Sequence, residues 1–192
     1  MKADMRSFSE MVDDDPAGAP YVVRHSVLAP ELCRAVIAEP TDPRPALGFG
    51  GQPHPDGFVI GKQGSESRFH AEVHDIVTEF AQAANDALWN FDAPTTHGWW
   101  SQGYRPGAQL GWHADRHAGY SNRKLSIVVL LSDPAEFDGG RFEFRLGEQP
   151  HPIDLRQGTI VVFPSWNVHR VAPITAGQRW SIVMWLDGPP WR

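Results

Sequence analysis

The second half of the chain is dominated by short segments in which apolar and β-branched residues run together or alternate with polar ones. These segments cover residues 109–112, 125–131, 159–163 and 180–186. Their length and composition are typical of β-strands. The turn sequence Asp138-Gly139-Gly140 separates two of them. The pattern predicts an all-β region from about residue 99 onward.

Helical periodicity is confined to the first half of the chain. The apolar residues of one predicted helix face are Val73, Ile76, Val77, Phe80, Ala84, Ala87, Leu88 and Phe91. This stripe predicts a long helix over residues 70–91 that packs against a sheet. A shorter helix is expected to begin at Pro30, since proline is favoured in a first helical turn. We expect a strand over 21–27, and a long Pro- and Gly-rich loop over 40–63 with a short strand near 58–60.

Length and composition predict one folded domain. The chain has 192 residues, of which 41% are hydrophobic, and this is enough for one sizeable core. Residues 1–20 are acidic and contain proline, so we expect a loose N-terminal arm there and a single domain over residues 21–192.

Charge and hydropathy argue against two classes of partner. The net charge is −6 and the sequence has no basic cluster, which makes binding to the phosphate backbone of a nucleic acid unfavourable. No apolar run is long enough to cross a membrane, and residues 1–20 lack the apolar core of a signal peptide. The single cysteine, Cys33, excludes an internal disulfide and fits a reducing compartment. We therefore expect a cytoplasmic protein, while its oligomeric state stays open.

The candidate chemistry begins with His113 and Asp115. Side chains two apart on a strand share a face, and a later strand can bring His169 beside them. Two imidazoles and one carboxylate are the ligand set of non-haem Fe(II) oxygenases, with three coordination positions left open. The alternative is coincidence, because the chain contains nine histidines.

Arg179 is the second candidate feature. Alternation along 179–186 puts Arg179, Ser181, Val183 and Trp185 on one face. If that face lines a cavity, the guanidinium and the Ser181 hydroxyl form a receptor for a ligand carboxylate. The alternative is a solvent-facing arginine.

With these residues in place, the stretch from about Trp99 to Leu186 resembles the iron- and 2-oxoglutarate-dependent dioxygenases, in particular their prolyl-4-hydroxylase-like branch. The resemblance rests on His113-x-Asp115, His169 and Arg179. Flanking motifs agree in order and spacing: Tyr104-Arg105-Pro106-Gly107, Leu130-Leu131-Ser132-Asp133, Asp138-Gly139-Gly140 and Phe163-Pro164-Ser165.

The resemblance implies a fold, a set of cofactors and a reaction. The fold would be a double-stranded β-helix, a jelly-roll, cupin-like barrel, with the long helix packed on the outer face of the major sheet. Fe(II), 2-oxoglutarate and dioxygen would together hydroxylate an unactivated C–H bond, with release of succinate and carbon dioxide. His113, Asp115 and His169 would hold the metal. Retention of Asp115 favours hydroxylation over halogenation, while desaturation and ring formation stay open.

The same resemblance implies that Arg179 and Ser181 hold the far carboxylate of 2-oxoglutarate. Some relatives complete this site with a tyrosine on the strand after His-x-Asp, and residues 125–131 contain none. Tyr104 is the candidate replacement, and the alternative is an ordinary strand residue. Alkylation-repair relatives carry a second arginine six residues after the first, where this chain has Trp185.

Substrate recognition is the least determined property. Trp185, Arg116 and Arg123 are the candidate pocket residues, and the substrate would be a small amino-acid-like molecule or a peptidyl residue. Trp99, Trp100, Trp112 and Trp166 are more simply explained as core residues, and the two arginines as solvated loop residues. Two other functions stay open: a cupin-like metal enzyme that does not use 2-oxoglutarate, and a catalytically silent metal-binding module.

Overall fold

The computed structural model describes residues 19–40, 43–46, 56–96 and 98–190. Residues 1–18 of the predicted N-terminal arm, and much of the predicted loop over 40–63, lie outside the described residues. The helices are α1 (Pro30–Ala38) and α2 (His70–Leu88). The strands are β1 (Val22–Arg24), β2 (Arg44–Pro45), β3 (Val59–Gln63), β4 (Thr95–Thr96), β5 (Trp100–Tyr104), β6 (Leu110–His113), β7 (Arg123–Leu130), β8 (Phe137–Gly139), β9 (Phe142–Phe144), β10 (His151–Pro152), β11 (Ile160–Pro164), β12 (His169–Val171), β13 (Ile174–Gly177) and β14 (Arg179–Asp187).

Two antiparallel sheets face one another. The large sheet has the strand order β1-β11-β7-β14-β5-β3-β2, with β4 also paired to β14. The small sheet has the order β10-β9-β12-β6, and β8 and β13 form a separate two-stranded ribbon. This is the predicted double-stranded β-helix arrangement. Among the described residues the two sheets do not join by hydrogen bonds into a closed barrel, so the architecture is closer to an open sandwich.

Alternation along the strands of the large sheet creates two separate cores. Side chains on its inner face meet the small sheet in one apolar cluster, which includes Tyr104, Val128, Phe142, Phe144, Phe163 and Val183. Side chains on its outer face meet the helices in a second cluster, which includes Val73, Val77, Ile127, Val129, Val162, Ile182 and Met184. The predicted position of the long helix on the major sheet is therefore confirmed.

The predicted Asp138-Gly139-Gly140 turn lies partly in a strand, because Asp138 and Gly139 end β8 and pair with β13, and the chain passes to β9 through Gly140 and Arg141. Gly139 and Gly140 have φ values of 79° and 61°, which side-chain-bearing residues rarely adopt. A Cβ atom at Gly139 would collide with the carbonyl oxygen of Pro173. The two glycines therefore allow the chain to pass from β8 to β9 close to Pro173 and Arg179.

The predicted strand over 21–27 is shorter in the structure. It ends at Arg24, and the chain turns at His25 and Ser26. Ser26 has a φ of 58°, so the backbone leaves the extended conformation there. None of the described helices is both long and apolar enough to span a lipid bilayer.

Candidate active site

His113, Asp115 and His169 converge at one end of the space between the sheets. His113 ends β6 and His169 begins β12, and the two residues are direct partners in the antiparallel register. Their ring centroids lie 4.3 Å apart. The Asp115 carboxylate lies 3.5 Å from Nε2 of His113 and 3.6 Å from Nε2 of His169. One ligand atom from each residue therefore lies within 4.8 Å of the others, a spacing suited to a single metal ion.

The convergence arises differently from the predicted strand alternation. Asp115 lies in a bend after β6, not on a strand. The backbone N–H of Arg116 donates to the Ser165 carbonyl over 2.9 Å, and Nη1 of Arg123 donates to the Asp115 carbonyl over 3.3 Å. These two bonds fix the bend that directs the carboxylate back toward the imidazoles.

Backbone carbonyls determine which imidazole nitrogens face the cluster. Nδ1 of His113 is 2.8 Å from the Gly111 carbonyl oxygen, and Nδ1 of His169 is 2.9 Å from that of Asn167. A carbonyl only accepts, so each Nδ1 carries the proton and each Nε2 presents a lone pair toward Asp115. This is the tautomer that a metal ligand requires.

The charge states of Asp115 and His169 also suit a cation. Burial alone would raise the pKa of Asp115, but His169, His113 and the Ser126 hydroxyl hold it well below its usual range. Burial lowers the pKa of His169 to about 4, which keeps this imidazole neutral. Burial also opposes the charged form of His113, but Asp115 outweighs it and raises the pKa of that imidazole. A buried carboxylate beside two imidazoles is a donor set that a divalent cation would complete.

Arg179 lies fully buried on the inner face of β14. Its Nη1 donates to Oγ of Ser181 over 3.1 Å, and its guanidinium carbon is 5.5 Å from the centre of the Tyr104 ring. Its Nη2 is buried without a hydrogen-bond partner, and no carboxylate of the described residues pairs with the guanidinium. Burial accordingly lowers the pKa of Arg179. An unpaired buried guanidinium is costly, so these residues fit an anionic ligand that would supply the missing acceptor.

Tyr104 lies opposite Arg179 in the register between β5 and β14. Its hydroxyl donates to Oε1 of Gln102 over 2.9 Å, and its ring stacks on Phe58. Burial raises the pKa of the Tyr104 hydroxyl well above its usual range, so the group stays a neutral donor. Tyr104 thus lies beside Arg179, with its hydroxyl bonded to Gln102.

A cavity of about 320 Å³ opens beside the metal cluster. It is lined by Asp56, Leu110, Gly111, Trp112, His113, Ala114, Asp115, His117 and Arg123. Arg123 is held at its rim, because its guanidinium carbon lies 3.7 Å from the ring centre of Trp185 and 4.0 Å from that of Tyr120. Arg116 is not among the residues that line this cavity. A second cavity, of about 430 Å³, reaches Arg179 from the β8–β9 side.

The tryptophans occupy different environments. Trp99 is fully buried in the outer core beside α2, and Trp166 is exposed and meets Phe91 edge to face. Trp112 lines the cavity, and Trp185 lies against Arg123. Of the predicted aromatic residues, these last two therefore belong to the site.

Two residues of the site were not predicted from the sequence. Ser126 on β7 donates to Oγ of Ser165 over 2.9 Å, and its hydroxyl is among the groups that lower the pKa of Asp115. The sequence feature that could have identified Ser126 is a hydroxyl at an inward-facing position within the otherwise apolar run 125–131. Asp56 accepts from the backbone N–H of Gly111 over 2.7 Å and lines the cavity. It is distant in sequence and carries no local motif.

Comparison with known proteins agrees with this geometry. Residues 99–187 match the family model of the 2OG-Fe(II) oxygenase superfamily. This segment is similar to that superfamily and contains all three residues of the candidate metal cluster.

Curated relatives match a segment of similar length. A PKHD-type hydroxylase of Cupriavidus metallidurans is 37% identical over 91 residues, which are 44% of this chain and 40% of the relative. A PKHD-type hydroxylase of Teredinibacter turnerae is 34% identical over 90 residues, again covering 44% of this chain and 40% of the relative. The chain thus covers about two fifths of the length of these relatives.

Solved structures share the fold over nearly the whole chain. A Pseudomonas putida prolyl-4-hydroxylase superposes with a TM-score of 0.74 and 22% identity, covering 94% of this chain and 99% of that one. A prolyl hydroxylase of Trichoplax adhaerens was solved in complex with a hypoxia inducible factor peptide fragment. It superposes with a TM-score of 0.77 and 16% identity, covering 95% of this chain and 90% of that one. At these identities the likeness establishes the fold.

Proposed function

We propose that this protein is an Fe(II)- and 2-oxoglutarate-dependent dioxygenase that hydroxylates an unactivated C–H bond of a peptidyl residue or a small amino-acid-like molecule. One observation carries the proposal: the small sheet brings two imidazoles and one carboxylate together, while the facing large sheet buries a guanidinium whose Nη2 lacks a hydrogen-bond partner. The superfamily match over residues 99–187 supports the same reaction class.

In this proposal His113, Asp115 and His169 hold Fe(II) through two Nε2 atoms and one carboxylate. When bound, iron with 2-oxoglutarate and dioxygen supplies the oxidation of the C–H bond, with release of succinate and carbon dioxide. The chain's own contribution is geometric: the Gly111 and Asn167 carbonyls fix the imidazole tautomers.

Arg179, Ser181 and Tyr104 would bind the far carboxylate of 2-oxoglutarate. The free Nη2 of Arg179 provides one donor, and the Ser181 hydroxyl, held by Nη1, provides a second. The Tyr104 hydroxyl would add a third on exchanging its bond to Gln102. A cupin-like enzyme without 2-oxoglutarate, or a silent metal-binding module, would leave the unpaired buried Arg179 without a role.

The substrate would enter the cavity beside the metal cluster. Arg123, held between the rings of Trp185 and Tyr120, presents donors at the rim for a carbonyl or carboxylate. Arg116, which follows Asp115 directly, is a further candidate for this contact. The peptide complex of the Trichoplax adhaerens neighbour supports a peptidyl substrate here.

We further propose that residues 21–192 form one domain, with residues 1–20 as an arm, and that the protein is cytoplasmic and has neither a nucleic acid nor a membrane as partner. The large sheet, which spans residues 22–187, supports the single domain. A buried free thiol at Cys33 supports a reducing location.

The test is succinate formation by the purified protein with Fe(II), 2-oxoglutarate and dioxygen, with and without a panel of proline-containing peptides and amino acids. We expect slow peptide-independent turnover, stimulation by the right substrate, and loss of both in His113→Ala. His151→Ala, which changes an imidazole bonded to Tyr21 outside the cluster, is the matched control. Absence of any 2-oxoglutarate-dependent succinate, with or without peptides, would overturn the proposal.

A further inference from the structure

Trp112 and two arginines lie together on the outer face of the small sheet. The guanidinium carbon of Arg145 lies 4.6 Å from the ring centre of Trp112, and that of Arg170 lies 4.5 Å from it. Arg170 is on β12, next to β6, which carries Trp112. Arg145 follows β9, and its backbone N–H donates to the Val168 carbonyl over 2.9 Å. We call Trp112, Arg145, Arg170 and the neighbouring Arg141 the arginine face.

The arginine face carries more positive than negative charge. Among the described residues, the carboxylate that forms ion pairs with the arginine face is Glu143, which is buried and holds Nε of Arg170 at 2.6 Å and Nε of Arg141 at 3.0 Å. Arg145 is exposed, and within the described part of the chain it has no carboxylate partner. Three guanidinium groups against one carboxylate leave an excess of two positive charges. This excess contrasts with the net charge of −6 of the whole chain.

The arginine face is continuous with the candidate active site through Trp112. This side chain lines the cavity beside His113 and Asp115, and the same ring lies under Arg145 and Arg170. A chain that leaves the cavity over Trp112 therefore meets both guanidinium groups, whose carbons lie 4.6 Å and 4.5 Å from the centre of its ring. An extended peptide advances about 3.3 Å per residue, so about two or three residues would carry it from the cavity across the ring.

We propose that the arginine face docks an acidic segment of a peptide or protein substrate, with Asp or Glu about two or three residues from the position that enters the cavity. The inference rests on the proposed function and extends it by naming the class of flanking sequence. Arg145 supplies the main contact because its fork of donors is free and is oriented by the Trp112 ring. Arg170 contributes charge while it remains bonded to Glu143.

The charge pattern favours an acidic peptide over a nucleic acid. A phosphate backbone gains affinity from many cationic contacts along its length. Here the cations are few, a carboxylate lies in their middle, and the rest of the chain is acidic. Two carboxylates of a peptide would match the local excess of two charges.

Binding of three labelled decapeptides to the full chain tests this inference by fluorescence anisotropy at low salt. Each peptide has a central proline among Gly and Ser, with two Glu, two Gln or two Lys residues placed three positions from the proline. We expect the Glu peptide to bind at least fivefold more tightly than the Gln peptide, and the Lys peptide to bind most weakly. The Glu preference should vanish in Arg145→Glu and at high salt.

Arg34→Glu is the matched control, because Arg34 is an exposed arginine on α1, on the other side of the large sheet. The Glu preference must survive in it. Equal affinity for the Glu and Gln peptides, no measurable binding, equal loss in Arg34→Glu, or tighter binding of a single-stranded oligonucleotide would each overturn the inference.

Peptide-independent succinate formation separates this inference from the proposed function. Arg145→Glu should leave that basal rate unchanged, since Arg145 touches neither the metal cluster nor Arg179. A protein that forms succinate without any Glu preference contradicts the docking inference alone. A protein that prefers the Glu peptide but never consumes 2-oxoglutarate contradicts the proposed function.

Discussion

Nη1 of Arg179 donates to the Ser181 hydroxyl over 3.1 Å, while Nη2 of the same buried guanidinium has no partner. Two residues that alternate onto one face of β14 thus form half of an anion site. The protein keeps a costly charge in its interior where only a ligand would pair with it. Replacing Arg179 should therefore affect ligand affinity and the free energy of unfolding differently, and both quantities can be measured.

Replacing Arg179 by methionine should weaken 2-oxoglutarate binding and leave the fold at least as stable. Loss of a charge-assisted pair is worth about 1.5–3 kcal/mol, which corresponds to about 10- to 150-fold in affinity. Removing an unpaired buried charge should raise the free energy of unfolding, or leave it unchanged. Calorimetric titration with 2-oxoglutarate in the presence of Mn(II), and urea unfolding, measure the two effects. Unchanged affinity for 2-oxoglutarate would remove Arg179 from the site.

Replacing Ser126 by alanine should lower the metal affinity without removing a ligand. Its hydroxyl donates to Ser165 over 2.9 Å and helps to hold the pKa of the Asp115 carboxyl below its usual range, so it stabilises the charged carboxylate. Loss of such a supporting contact typically costs about 10- to 100-fold in metal affinity. Titration of the apoprotein with Mn(II) measures the change. Ser132→Ala serves as control, because it removes a hydroxyl that accepts from the backbone N–H of Trp180. This variant should bind Mn(II) as the unaltered protein does.

Replacing Gly103 by alanine should destabilise the large sheet. A Cβ atom at this position would lie 2.5 Å from the ring of Trp180, which packs across β5. Overpacking of this kind costs about 1–3 kcal/mol in the free energy of unfolding. Gly147→Ala is the matched control, since nothing lies within 4 Å of a Cβ atom there. Equal unfolding midpoints in urea for the two variants would refute the packing argument.

The thiol of Cys33 should be unreactive in the folded protein at pH 8. The residue is fully buried, and burial raises the pKa of the thiol to about 11, so very little thiolate is present and reagents cannot reach it. Ellman's reagent should react with one thiol per chain only after urea is added, with a midpoint that matches global unfolding. Fast reaction of the native protein would show that α1 opens readily from the outer core.

Much of the fold followed from patterns that act locally. The apolar stripe over 70–91 predicted α2, and the alternation over 179–186 put Arg179 and Ser181 on the inner face. Both patterns work because side-chain direction repeats with a fixed period in a helix or strand. The strand expected over 21–27 was too long, because the turn at Ser26 depends on contacts of the neighbouring Val27 and Leu28 with Gly158, far away in the chain.

The site was predictable where its residues carry a spaced motif and not where they are brought in from a distance. His113, Asp115, His169 and Arg179 were identified together because their spacing matches a known ligand set. Asp56 joins the cavity through its bonds to Gln109 and Gly111, which no local pattern records.

The sequence by itself determined the residue types, the strand faces and the family resemblance, since these depend on composition and on short-range periodicity. Only the tertiary structure decided that Asp115 reaches the imidazoles through a bend and that Arg179 is left without a counter-charge. It also decided that Trp112 lies under two arginines at the edge of the cavity. The physical reason is that pairing, burial and charge compensation depend on residues that the sheets bring together from distant parts of the chain.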